Sequence, residues 1–92
     1  METNRRTNHQ TEEMILVSDV GYTCLFRCDP AGRFQVTCPK LVSVIAFGEN
    51  IAQARAAVRE EIEAYLMSLY EEGEHIPEPD YAPSWRFGSA LG

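Results

Sequence analysis

The residues best suited to chemistry are acids, and most lie in one stretch. Glu60, Glu61, Glu63, Glu71, Glu72, Glu74, Glu78 and Asp80 follow one another with no lysine or arginine between them. Residues 1–59 hold six acids and seven bases, so the net charge of −6 comes from this later stretch. Paired carboxylates can hold the cations of a metal-dependent nuclease, but that chemistry needs acids pointing inward from several strands. Here the acids fall on the polar side of a helix and in loops. Asp19 and Asp29 are the aspartates nearest to strands, and a turn accounts for Asp29. Two readings remain for the acidic stretch: a solvated helix face that keeps the protein in solution, or a docking surface for a basic partner. Complementary charge speeds association and selects partners more than it adds affinity.

The other reactive side chains are scattered. His9 lies in a polar N-terminal stretch, and His75 follows a helix stop with no cysteine or aspartate at a ligand spacing. No serine stands in a G-x-S-x-G elbow, and no glycine-rich phosphate loop is present. Cys24, Cys28 and Cys38 are odd in number and lack a zinc spacing, so reduced thiols are expected. Trp85 and Phe87 read as core or interface anchors, because only Arg86 is basic beside them and a base-stacking platform needs more. The expectation is a non-enzyme with no metal and no cofactor.

These residues need a scaffold, and the chain is long enough for one small domain. It has 92 residues, of which 45% are hydrophobic and 24% charged, an ordinary globular balance. The acid excess argues against direct nucleic-acid binding. No apolar run reaches the length of a membrane helix, and the polar N-terminus does not read as a secretory signal, so a cytoplasmic protein is expected.

Residues 1–13 carry no apolar side chain after Met1 and read as a disordered polar tail, leaving 14–92 as the domain. Met14–Val17 is an apolar run too short for periodicity to classify. Tyr22, Cys24, Phe26 and Cys28 alternate with other residues, as do Phe34, Val36 and Cys38. Asp29-Pro30-Ala31-Gly32 between them reads as a turn. Pairing Cys28 with Phe34 places Phe26 against Val36 and Cys24 against Cys38, with every apolar residue except Leu25 on one face. A one-residue slip mixes the faces. Cys24 and Cys38 then oppose one another, either as two small buried side chains or close enough for a disulfide.

Pro39 ends that strand. Leu41–Phe47 reads as a third strand, apolar on both faces and so buried twice, with a second subunit as the simplest cover. Asn50 is a good helix N-cap, and Gln53 completes a capping-box spacing. Ile51, Ala54, Val58, Ile62, Tyr65, Leu66 and Leu69 form one stripe, so a helix is predicted from Ile51 to Glu72, with Gly73 as its stop. Ile76-Pro77-Glu78-Pro79 is extended, and Ser84–Phe87 reads as a short last strand. The fold class is α+β in two layers. An antiparallel sheet of three to four strands carries one long helix, in the order β-β-β-α-β.

The ordered set from Tyr22 to Pro79 resembles the N-terminal domain of HicB antitoxins, the antidote halves of HicA–HicB toxin–antitoxin pairs. Tyr22 opens a strand, Asp29 and Gly32 make a turn, and Phe34 and Pro39 bracket the second strand. Gly48, Glu49 and Asn50 start a long helix carrying Ala54, Ile62, Tyr65 and Leu66, and Gly73 with Ile76-Pro77-Glu78-Pro79 closes it. The chain departs from the family at Lys40–Val44, which lacks a glycine bend. Many members also carry a C-terminal DNA-binding module. The twelve residues from Tyr81 to Gly92 are too few for one, so none is expected here.

The resemblance implies a degenerate RNase H-like domain without nuclease activity. It implies binding and masking of a small basic mRNA-cleaving HicA-type toxin, together with self-association as a dimer or higher oligomer. With the charge pattern, it nominates Glu60, Glu61, Glu63, Glu71 and Glu72 as toxin contacts. It nominates Leu41, Val42, Val44, Ile45 and Phe47 as the dimer interface. The alternative is an orphan homo-oligomeric domain with no toxin.

Overall fold

The structure is a computed structural model, and it describes residues 10–83. Four strands precede one helix: β1 (Gln10–Val17), β2 (Val20–Cys28), β3 (Phe34–Thr37), β4 (Ile45–Gly48) and α1 (Ile51–Glu71). The strands form one antiparallel sheet in sequential order, with α1 packed on one face, a two-layer α+β architecture. The expected strand at Ser84–Phe87 and residues 1–9 of the expected tail lie outside the described residues.

The β2–β3 hairpin has the expected register, with Cys28 opposite Phe34 and Phe26 opposite Val36. Asp29 builds its turn. Its Oδ1 accepts the amide N–H groups of Ala31 and Arg33 at 3.0 and 2.9 Å, and Gly32 takes φ 92° to close it. One face of the sheet carries Ile15, Val17, Tyr22, Cys24, Phe26, Val36 and Ala46, which meet Ala54, Val58 and Ile62 of α1 to form the core. Burying each valine or isoleucine there contributes about 1.5–3 kcal/mol, which outweighs any exposed ion pair in this fold.

Two parts of the sheet differ from the sequence expectation. Gln10–Glu13 are not tail: they are the first half of β1 and pair with Cys24–Arg27. β1 joins β2 through Ser18-Asp19, with Ser18 at φ 58°. A positive φ in a two-residue hairpin loop suits the right-handed twist of the strands. The third strand is also shorter than Leu41–Phe47. Residues 41–44 form a turn, in which the Leu41 N–H donates to Cys38 O at 3.0 Å and the Val44 N–H to Leu41 O at 2.8 Å. Leu41 and Val44 both point into the core. Their spacing of three is that of a turn, since a strand would place them on opposite faces.

Helix α1 starts as expected. The Gln53 N–H donates to Asn50 Oδ1 at 2.9 Å, and Gln53 Oε1 accepts the Glu49 N–H at 3.0 Å, one residue earlier than the usual reciprocal bond. Ala46 and Gly48 let the helix approach β4 closely. A Cβ on Gly48 would stand 2.3 Å from the Ala54 nitrogen, so this position admits no side chain. Gly73 follows the helix end, its N–H donating to Tyr70 O at 3.2 Å.

The chain after the helix returns to the sheet. β3 ends at Thr37, so it does not reach the first residues of β2. Asp80 and Tyr81 fill that gap. The Gly21 N–H donates to Tyr81 O at 2.9 Å, and Gly21 O accepts the N–H groups of Asp80 and Tyr81. The Tyr22 hydroxyl donates to Pro77 O at 2.6 Å. Among the described residues no helix is long and apolar enough to cross a membrane.

Candidate functional site

Three surfaces are candidates: the acidic side of α1, the outer face of the sheet, and a groove at one end of the helix.

All five nominated glutamates are exposed, but the helix does not gather them on one face. At about 100° per residue, Glu60, Glu63 and Glu71 project from the side opposite Val58. Glu61 lies on the flank next to the buried stripe, and Glu72 is the C-cap residue that follows the helix. The acidic surface therefore has a centre of three residues along the outer side of α1, and Glu74 and Glu78 are exposed in the chain beyond the helix. Asp80 does not belong to it. Its Oδ2 accepts the Thr23 N–H at 2.8 Å and its Oδ1 pairs with Lys40 Nζ at 3.0 Å. The Thr23 amide and then the Lys40 ammonium hold its carboxyl below the usual aspartate range.

The five residues nominated for a dimer interface divide differently from the sequence expectation. Leu41 and Val44 are buried in this chain's own core and cannot face a partner. Ile45 and Phe47 point to the sheet's outer face and are exposed, and Val42, at 85% exposure, projects from the preceding turn. β4 is an edge of the sheet. Met14 and Leu16 of β1 are exposed on the same outer face, where their side chains lie over Gly21. The ring of Phe47 is partly covered, since the Arg33 guanidinium stands 5.1 Å above its centroid.

Cys24 and Cys38 are buried neighbours with free thiols, while Cys28 is exposed. Cys38 Sγ donates to Thr23 O at 3.5 Å and Cys24 Sγ to Tyr22 O at 3.7 Å. Their proximity acts in opposite directions on the two thiols. Hydrogen bonding from the Cys24 thiol, with help from the Leu41 and Lys40 amides, lowers Cys38 to about 7. Holding that bond, with burial added, pushes Cys24 far above the thiol range. His75 is exposed, and among the described residues no three histidine, cysteine or acidic side chains converge to hold a metal ion.

The sequence did not reveal the third surface. A groove of about 610 Å³ opens between the β1–β2 turn, the second half of α1 and the segment from Ile76 to Ala82. Its walls are mainly apolar, with Val20, Leu66, Met67 and Ile76 among them, and Asp19 and Glu63 are the acidic residues that line it. It escaped sequence reading because its walls come from three separate segments.

Comparison of the chain with protein-family profiles, with curated proteins and with solved structures returned no match.

Proposed function

We propose that this chain is a HicB-like antitoxin domain that binds a small basic mRNA-cleaving toxin of the HicA type and masks its active surface, with no catalysis of its own. One observation carries the reading. Glu60, Glu63 and Glu71 form an exposed row on the outer side of α1, within a stretch that holds eight acids and no base. An RNA-cleaving protein must present positive charge to phosphate, and such a surface is drawn to this one. The match speeds encounter and selects the partner, and added salt weakens it.

The test begins with the tagged chain isolated from its native host. A small basic protein should accompany it in stoichiometric amount and cleave RNA only when freed from it. Glu60→Lys, Glu63→Lys and Glu71→Lys combined should slow association at least tenfold while the far-ultraviolet dichroism stays native. Unchanged association by a folded triple variant defeats the charge-masking reading.

A second reading is an orphan homo-oligomeric domain, favoured by exposed Ile45, Phe47, Met14 and Leu16 on one sheet face. A protein that sediments as an oligomer and brings down no basic partner supports it. Ile45→Asp with Phe47→Asp should then yield monomers.

A further inference from the structure

Cys24 and Cys38 are nucleophilic side chains that neither reading above uses. The β2–β3 ladder runs from Cys28 opposite Phe34 to Leu25 opposite Thr37, and its next step sets Cys24 opposite Cys38. The type of that step decides what the two thiols can do. The Asp29 N–H donates to Arg33 O at 2.8 Å, so residues 29 and 33 are a hydrogen-bonded pair. Pairs alternate along an antiparallel ladder, which makes 28–34, 26–36 and 24–38 the non-hydrogen-bonded ones. Residues opposed in such a pair have Cα atoms about 4.5 Å apart, inside the range of about 4.4–6.8 Å that a disulfide spans.

The side chains agree with the backbone. Both lie on the buried face of the sheet, and Cys38 Sγ reaches across to donate to Thr23 O at 3.5 Å. Each thiol is the largest single influence on the other's ionisation. Cys38, lowered to about 7, carries the thiolate at neutral pH, and the thiolate is the nucleophile. Cys24 keeps its proton. The two thus differ as an attacking and a resolving thiol differ. The Thr23 N–H donates to Asp80, which pairs with Lys40, so this clasp stands beside Cys38 on the same edge of β2.

We propose that Cys24 and Cys38 form a redox-modification site at which a small hydroperoxide, hydrogen peroxide being the simplest, converts the two thiols to an intramolecular disulfide. Burial excludes bulky reagents, whereas hydrogen peroxide is little larger than water. Cys38 Sγ attacks one peroxide oxygen and breaks the O–O bond, giving a sulfenic acid and one water. Cys24 Sγ then attacks the Cys38 sulfur, forms the S–S bond and releases the second water. The two thiols give up two electrons and two protons, and the peroxide takes them up. The bond staples β2 to the chain just past Thr37, where the ladder with β3 stops. This proposal stands whether or not the chain is an antitoxin.

The test uses the full chain carrying Cys28→Ser, which removes the exposed thiol and its intermolecular products. Folded protein treated with hydrogen peroxide should lose two hydrogens in mass. After unfolding it should show no free thiol until dithiothreitol restores both. Its far-ultraviolet dichroism should stay native and its urea midpoint should rise, because a cross-link limits the unfolded chain. Adding Cys38→Ala should leave Cys24 a thiol under the same treatment. Two thiols that survive in the treated folded chain overturn the proposal, as does a gain of oxygen without a disulfide. A disulfide that forms only in urea, or one that lowers the urea midpoint, also overturns it, because the native pair then does not hold the bond. A Cys24 that oxidises alone in folded Cys38→Ala overturns the order of attack.

Discussion

Glu13 and Arg55 join β1 to α1 through a two-pronged pair. Arg55 Nε donates to Glu13 Oε1 and Nη2 to Oε2, both at 2.8 Å. The pair is partly exposed, so it fixes geometry more than it adds stability. It fastens the part of β1 that reads as polar tail in the sequence. Hydrogen bonding from Arg55 holds the Glu13 carboxyl below the usual glutamate range. A lowered folded value means that this contribution is fully present above the unfolded glutamate pKa. It is lost as pH falls through the folded value. The urea midpoint of the native protein should therefore exceed that of Glu13→Gln at neutral pH, and the gap should close on acidification. A gap independent of pH contradicts this assignment.

Asp80 fastens the returning segment to β2 and Lys40. Asp80→Ala should cost about 1 kcal/mol, the ordinary worth of hydrogen bonds to a partly exposed charge. Its clearest effect should be local, with faster hydrogen exchange at the Thr23 amide and earlier proteolysis after Pro79. The folded pKa of Asp80 is lowered, so this support too is present above the unfolded aspartate value and lost as pH falls through the folded one. Exchange at Thr23 that matches the native protein refutes the contact.

Leu41 and Val42 are neighbours with opposite roles. Leu41 is fully buried and Val42 is almost fully exposed. Leu41→Ala should destabilise the monomer by about 2–5 kcal/mol, and Val42→Asp should stay within about 0.5 kcal/mol. Chemical denaturation of both variants decides it. Equal losses imply that 41–44 runs as a strand.

The cysteines should separate by reactivity. A thiol reagent should label Cys28 quickly in the folded protein and reach Cys24 and Cys38 only on unfolding. A thiolate absorbance step near 7 should vanish in Cys38→Ala. Because the folded value of Cys38 is lowered, its contribution to stability should grow as pH rises from there toward the unfolded thiol pKa of about 8.5. Rapid labelling of all three thiols in the folded state contradicts this arrangement.

Much of the scaffold was legible wherever local chemistry had one solution. Asp29 and Gly32 fixed a turn, and alternation on both sides of it fixed the register from Cys28 and Phe34 onward. Asn50 and Gln53 fixed the helix start. β1 was illegible in its first half because Gln10–Glu13 is polar and gains its place from pairing with β2 and from Arg55. Its turn carries Ser18-Asp19 rather than a glycine pair, so the hairpin left no mark. Leu41–Val44 misled because hydrophobicity alone does not separate a strand from a turn with two inward residues. The acidic row was visible as a count of charges, but its division between the outer side of α1 and its flank required the helix. The groove required three distant segments to meet.

The bridge between Gly21 and Tyr81 has a consequence for folding during synthesis, because it joins residues sixty apart in the chain. The β1–β2, β2–β3 and β3–β4 pairings join strands that are neighbours in sequence, and such contacts form quickly. The first residues of β2 nevertheless keep open backbone hydrogen-bonding groups until a segment sixty residues downstream arrives. On the ribosome this stretch of sheet stays exposed until residue 81 has left the exit tunnel. A nascent chain stalled before that point displays an unpaired strand edge, the kind of surface that recruits chaperones or a second nascent chain.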